Sequence, residues 1–186
     1  MRIISGKLKG KKIDFLKSSI TRPLKDSVKE SIFNIISHSN MFDINLQKSN
    51  ILDLYSGVGS FGLECISRGA NKVIFVEKDK NASKIISQNL SNLKIMNKAI
   101  VITEKISNFL IRKNLDKFNI FFLDPPYINV DYLNDLILIK QKKIFKKKHI
   151  VIIHRDRKSS DEFENTIDPI LIREYGRSKI IFARFF

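Results

Sequence analysis

From residue 50 onward the chain alternates short apolar runs with amphipathic stretches, and no other feature constrains its fold as tightly. The apolar runs fall near 51–55, 72–77, 99–103, 119–124 and 149–154. Between them, helical spacing of apolar residues predicts helices near 61–69, 80–92, 106–114 and 131–141, with a shorter one around 159–165. Strands that read as continuous apolar runs are buried on both faces, and helices between them supply the long crossovers that parallel strands need. The ending differs. Residues 170–175 and 178–185 are two strands joined by a tight turn at Gly176, which predicts an antiparallel hairpin closing an otherwise parallel sheet.

Ahead of this core, residues 2–24 mix basic and apolar positions, with bends at Gly6 and Gly10 and a stop at Arg22-Pro23. They read as a short hairpin or extended arm. Val28, Ile32, Phe33, Ile35 and Ile36 then give an amphipathic helix ending near His38, with Lys25 and Lys29 assigned to its polar face, and 39–50 is a connector. At 186 residues the chain suits a single domain. Its net charge of +15 points to a polyanionic partner, although an Ile, Asn and Lys bias contributes to that figure. The lone Cys65 fits a packed thiol in a reducing compartment, and no segment has the length of a signal peptide or membrane span. A cytoplasmic protein is expected. His38, His149 and His154 lack ligand spacing, so no metal is expected and each is read as structural or exposed. The charge run from Lys140 to Lys148 reads as a solvated helix end and loop.

Two segments carry chemistry. In Ile120-Phe-Phe-Leu-Asp-Pro-Pro-Tyr127 an apolar strand stops at an acid, because proline cannot donate to a sheet ladder and restricts the residue before it. Asp124 and the following carbonyls form an acceptor cluster beside the Tyr127 ring. An exocyclic amine on a nucleobase wants acceptors for its hydrogens and a flat surface for its ring. The bland alternative is a strand exit into an Asp-Pro turn.

The second segment, Ile51-Leu-Asp-Leu-Tyr-Ser-Gly-Val-Gly-Ser-Phe-Gly-Leu-Glu64, runs from a strand through a glycine loop into a helix. Gly57, Gly59 and Gly62 allow a tight turn, close ligand approach and close helix packing. Glu77 ends the next strand, where an acid accepts both ribose hydroxyls of an adenosine. That arrangement serves NAD and S-adenosylmethionine alike. Asp53 favours S-adenosylmethionine, since a carboxylate suits a cationic amino-acid moiety and not a pyrophosphate.

DLYSGVGSFGLE, VEKD at 76–79 and DPPY at 124–127, in that order, resemble the class I amino-methyltransferases. Arg2-Ile-Ile-Ser-Gly6, Gly10 and Thr21-Arg-Pro23, with Asp26, Val28, Glu30 and Phe33-Asn34, narrow the resemblance to the RsmD family of bacterial 16S ribosomal RNA guanine-N2 methyltransferases. The resemblance implies a Rossmann-like fold with a mostly parallel seven-stranded sheet. Residues 1–40 would form the arm and helix, and 50–186 the catalytic core of one domain. It implies S-adenosylmethionine held by Asp53, Tyr55, Ser56, Gly57, Gly59, Glu77, Lys78, Ile106 and Asp124. It also implies methylation of a guanine amine in the small ribosomal subunit by Asp124, Pro125, Pro126 and Tyr127, without metal, by a monomer. Arg2, Lys7, Lys9, Lys11, Lys12 and Arg22 would track RNA phosphates.

The chain departs from the family pattern in two places. Glu104-Lys105-Ile106 follows the third strand where Asp or Asn commonly accepts from adenine, and lysine has no acceptor, leaving the Ile106 backbone N–H to serve. The fifth strand ends in His154-Arg155 where an acid is expected. Three other readings stay open: a DNA adenine-N6 methyltransferase, a nicotinamide-dependent oxidoreductase, and a non-catalytic RNA-binding or ribosome-assembly factor.

Overall fold

In the computed structural model, residues 1–15, 24–39, 41–163 and 165–186 are described. Seven strands form one sheet: β1 (Asn50–Leu54), β2 (Lys72–Glu77), β3 (Ala99–Thr103), β4 (Phe118–Leu123), β5 (Phe145–Asp156), β6 (Ile167–Tyr175) and β7 (Ser178–Phe185). Their order is β3-β2-β1-β4-β5-β7-β6, parallel from β3 to β5 and antiparallel from β5 through β7 to β6. The order reverses direction at β1, so a crevice opens between the carboxyl ends of β1 and β4, where open α/β sheets bind ligands.

The helices are α1 (Asp26–His38), α2 (Ser60–Ser67), α3 (Lys80–Asn92), α4 (Ile106–Leu110) and α5 (Tyr132–Lys142). Two cores sandwich the sheet. One holds Phe33, Phe61, Leu63 and Ile86 of α1 to α3 against Ile51, Phe75, Phe122 and Ile152. The other holds Phe109, Leu110, Leu136 and Ile139 of α4 and α5 against Leu54, Phe121 and Ile153. Strand residues two apart share a face, which is why Ile51 and Leu52 enter different cores. Phe61 stacks on Phe122 at 4.0 Å and on Phe33 at 5.2 Å, tying α1 and α2 to the centre of the sheet.

Several expectations are corrected. Helix α4 stops at Leu110 and not at residue 114, with Asn114 in the left-handed region at φ 58°. β5 starts at Phe145, so Lys146, Lys147 and Lys148 are strand residues, not loop. Continuous burial begins only at His149, which hid the strand's exposed start from an apolar-run reading. No described residue of 159–165 is helical; Asp161 instead accepts from Arg155 Nε and Ser159 Oγ. Lys29 is not on a polar face but fully buried, where its Nζ donates to the Arg2 carbonyl and the Ser60 hydroxyl at 3.3 and 3.2 Å and lies 4.0 Å from Glu64. Burial lowers its pKa, partly offset by Glu64 and Asp26.

The arm is a hairpin: Ile3 N–H donates to the Lys11 carbonyl and Ile13 N–H to that of Met1, with both isoleucines buried. Glu64 on α2 accepts from the N–H groups of Ile4 and Ser5, and Lys7 N–H donates to the Ser67 carbonyl. Gly6, at φ +84°, is required there because a Cβ would meet that carbonyl oxygen at 2.1 Å. Among the described residues no helix is long and apolar enough to cross a membrane.

Candidate active site

Four adjacent parallel strands carry a polar residue on the same face at or near their carboxyl ends. Glu77 follows Phe75 on β2, Asp53 follows Ile51 on β1, Asp124 follows Phe122 after β4, and His154 follows Ile152 on β5. The register explains the convergence: Asp53 pairs with Phe75 and Phe122, and Leu123 with Ile153, so Asp124, just past the end of β4, lies beside His154 of β5.

On the β1–β2 side the backbone turns sharply. Tyr55 adopts φ 57°, Gly57 φ 55° and Gly59 φ 80°, and Gly59 precedes α2. Glu77 accepts from Gly57 N–H at 2.8 Å through one carboxylate oxygen and from Asp79 N–H at 2.9 Å through the other. Each oxygen keeps a second lone pair. Ser56 Oγ donates to the Asp53 carbonyl at 2.6 Å and accepts from Val76 N–H at 3.0 Å, locking the loop to β2. Asp53 is 1% exposed; Oδ2 accepts from Gly62 N–H at 3.0 Å, and Oδ1 has no partner among the described residues. Burial pushes this acid well above the usual carboxylate range, the Gly62 bond opposes the shift, and Asp124 and Glu77 add to it. A buried acid with an orphan oxygen is suited to a cation, and the ammonium of S-adenosylmethionine is one. Gly62 cannot carry a side chain here, since a Cβ would meet Phe75 Cε1 at 2.2 Å and Asp53 Oδ2 at 2.9 Å.

The Tyr55 hydroxyl donates to Asp135 Oδ2 on α5 at 2.7 Å, and burial pushes the pKa of each group up. Lys78 is exposed beside Glu77. Ile106 is buried and begins α4, so its N–H lies in the first turn, where helices lack an internal acceptor.

On the β4–β5 side, Asp124 N–H reaches the Leu54 carbonyl at 3.4 Å, and its side chain stays 25% exposed. His154 Nδ1 lies 2.9 Å from Asp124 Oδ1, and Nε2 lies 2.9 Å from Ser178 Oγ and 3.3 Å from the Tyr127 hydroxyl. Arg155 points to the other face. Its Nη1 and Nη2 donate to the carbonyls of Pro126 and Tyr127 at 3.2 and 3.1 Å, its Nε to Asp161 Oδ1 at 2.8 Å, and its guanidinium lies 4.6 Å over the Tyr132 ring. Tyr132 and Lys179 also bond Asp161, at 2.7 and 2.8 Å. Burial would raise the Asp161 pKa, but hydrogen bonds from Lys179, Ser159, Tyr132 and Arg155 prevail and hold it at about 2. The turn closes with Asn129 N–H on the Pro126 carbonyl at 2.8 Å. The bonds that fix this loop thus fall on the carbonyls of Pro126 and Tyr127 and not on that of Pro125.

Sequence reasoning missed His154 as a site residue, having read it as structural or exposed. It also missed Arg155, Asp161 and Lys179. A signal was present: Ile150-Val-Ile-Ile153 before His154 has the form of Ile120-Phe-Phe-Leu123 before Asp124, and these equal apolar runs, paired in register, set the two polar residues at one level. His149, by contrast, is structural, accepting from Phe185 N–H at 2.9 Å. Cys65 is buried, which raises its pKa. Arg2, Lys7, Lys9, Lys11 and Lys12 are exposed on the N-terminal hairpin. Arg2 lies at the start of α2 through the Lys29 contact, and Lys7 lies at its far end, about 12 Å away along an eight-residue helix. Arg22 and the Thr21–Pro23 motif fall outside the described residues. A surface cavity of about 440 Å³ lined by Ile36, Leu46 and Arg68 sits beside the entry to β1 and includes none of the strand-tip residues.

A doubly wound sheet with a glycine loop after β1 and acids at the tips of β1, β2 and β4 defines a Rossmann-like class I methyltransferase fold with a C-terminal antiparallel hairpin. An Escherichia coli protein classed as a methyltransferase has the same fold, with a TM-score of 0.83 and 24% identity over 100% of this chain and 97% of that one. The family described as conserved hypothetical protein 95 matches residues 1–184. The chain is 35% identical to a Bacillus subtilis protein classed as an rRNA methyltransferase, covering 84% of this chain and 83% of that protein. It is 38% identical to the ribosomal RNA small subunit methyltransferase D of Haemophilus influenzae, over 68% of this chain and 64% of the relative, just under two thirds of its length. The chain belongs to the RsmD family.

Proposed function

We propose that this protein transfers a methyl group from S-adenosylmethionine to the exocyclic N2 amine of a guanine in 16S ribosomal RNA of the small subunit. One observation carries the reading: Asp53, Glu77 and Asp124 converge at the strand switch point, with the Pro125 carbonyl and Tyr127 ring next to the last of them. The names of its relatives support ribosomal RNA as the substrate, and the amine follows from the acceptor set.

S-adenosylmethionine supplies, when bound, a sulfonium methyl already reactive toward a weak nucleophile. Asp53 would hold the ammonium of that group, Glu77 the ribose hydroxyls, and the loop at Gly57 and Gly59 admits it closely. Asp124 and the Pro125 carbonyl accept the two amine hydrogens, which aims the nitrogen lone pair away from them. Tyr127 stacks on the guanine once it leaves its helix. Orientation accounts for most of the rate effect, since a correctly held pair reacts far faster than a freely diffusing one.

The test is transfer of labelled methyl to unmodified small subunits, naked ribosomal RNA and DNA, with nucleoside analysis. The expected product is N2-methylguanine in the ribosomal samples, with Asp124→Ala losing on the order of a hundredfold or more in rate while still binding S-adenosylmethionine. Label in DNA adenine would favour the adenine-N6 reading. No label in any sample, with the cofactor bound, would overturn the enzyme.

A further inference from the structure

We propose that His154 is a positioning residue that sets the angle of the Asp124 carboxylate and anchors the Tyr127 hydroxyl, coupling the amine acceptor to the stacking ring. The proposal rests on the role given above to Asp124. A carboxylate only accepts, so the 2.9 Å contact to Asp124 Oδ1 requires a hydrogen on His154 Nδ1. In the neutral ring Nε2 is then an acceptor, and the hydroxyls of Ser178 at 2.9 Å and Tyr127 at 3.3 Å both have a proton to give. The Tyr127 ring stands edge-on to the imidazole at 85°.

This arrangement makes the two oxygens of Asp124 different. Oδ1 is engaged by the imidazole, and Oδ2 is left for the amine. His154 is 5% exposed and held inside the sheet, in the carboxyl-terminal part of β5 opposite Ile180 of β7, with Ser178 at the start of that strand. A rigid residue supporting the group that touches the substrate is what a site of small geometric tolerance requires. The same face of the sheet would accept an apolar residue here, as it does at Ile150 and Ile152. A histidine with three polar partners is more than a space filler.

Three variants separate positioning from packing. Asn at 154 presents its amide N–H near the place of Nδ1, Gln presents it nearer the place of Nε2, and Ala presents none. His154→Ala should lower kcat on the order of a hundredfold, with the affinity for S-adenosylmethionine unchanged. His154→Asn should recover most of that loss, and His154→Gln little of it. Independently of turnover, long-range proton–nitrogen NMR of the protein alone should find His154 with its hydrogen on Nδ1, a preference released in Asp124→Ala. A wild-type ring with its hydrogen on Nε2, an unchanged kcat in His154→Ala, or equal losses in the Asn and Ala variants would each overturn the proposal. If the wild type methylates no nucleic acid, the functional reading fails, and the ring tautomer still decides whether His154 holds Asp124.

Discussion

Between β1 and β2 the site is held by bonds that reach back a short way along the chain: 9 residues from Gly62 to Asp53, and 20 from Gly57 to Glu77 and from Ser56 to Val76. Between β4 and β5 the corresponding bonds span 24 to 30 residues and draw in two further segments. His154 reaches Asp124 and Ser178, and Arg155 reaches Pro126 and Tyr127. The first half is mostly backbone donors around acids; the second is mostly side chains around a loop. A cofactor common to many enzymes can be held by a fixed turn. On the proposed function a particular base demands a loop whose shape is tuned from outside, and Arg155 and His154 hold that loop from opposite faces of one strand.

If that contrast is right, the largest effect comes from cutting the support of the base half. Asp161 is buried with Arg155 and Lys179 on it, so Asp161→Ala leaves buried cations unpaired and should cost about 3–5 kcal/mol, read as a fall in denaturant midpoint. Affinity for S-adenosylmethionine in the still-folded fraction should be little changed. Acid offers a second approach. The Asp161 pKa is depressed in the fold, to about 2 from 3.8, so its contribution is present above 3.8 and fades as pH falls toward 2. A chain with Asp161→Asn should lack that part of the acid limb. Loss of cofactor affinity together with the loop would break the comparison, because it would make the two halves one unit.

A smaller effect is expected in the other half. Gly62→Ala puts a methyl 2.2 Å from Phe75 Cε1 and 2.9 Å from Asp53 Oδ2. Overpacking of this kind costs about 1–3 kcal/mol, and it pushes on the acid that would hold the ammonium. Weaker S-adenosylmethionine binding by calorimetry, with the His154 ring tautomer unchanged, would sharpen the contrast. An unchanged affinity would place the cofactor's charged end elsewhere.

The same difference in span explains what was legible in the sequence. The glycine loop, Asp53 and Glu77 lie in local patterns of strand, turn and helix, and DPPY ends its own strand. The apolar runs also gave β1, β2 and β4, because two-sided burial leaves them unbroken, and the edge strand β3, which is apolar in sequence although only partly buried. β5 was read as starting four residues late and ending two early, the late start because Lys146 to Lys148 occupy its more exposed beginning. The helix expected at 159–165 failed for a related reason: Asp161 has four side-chain partners, two of them, Tyr132 and Lys179, far along the chain, that no local propensity records. Lys29 was misplaced because a lysine on a helix face looks solvated unless a distant Glu64 and carbonyl are known to await it. Long-range polar partners are invisible to periodicity.

The smallest effect tests whether Asp53 is there for the fold or for the ligand. Asp53→Asn keeps an oxygen for Gly62 N–H and removes a charge that the apolar surroundings oppose. Since burial raises the Asp53 pKa above 3.8, the folded state favours its protonated form; that stability is present at low pH and lost as pH rises through the raised value. At neutral pH the wild type therefore carries a penalty the Asn variant lacks. The variant should be more stable by about 0.5–2 kcal/mol, with the gap closing toward acid, while its affinity for S-adenosylmethionine falls by about tenfold or more for the loss of a charged hydrogen bond. A variant that is less stable at neutral pH with affinity intact would make Asp53 a cap for the Gly62 turn. The opposite outcome, a more stable protein that binds its cofactor worse, would mean the orphan oxygen is retained against stability because a cation needs it.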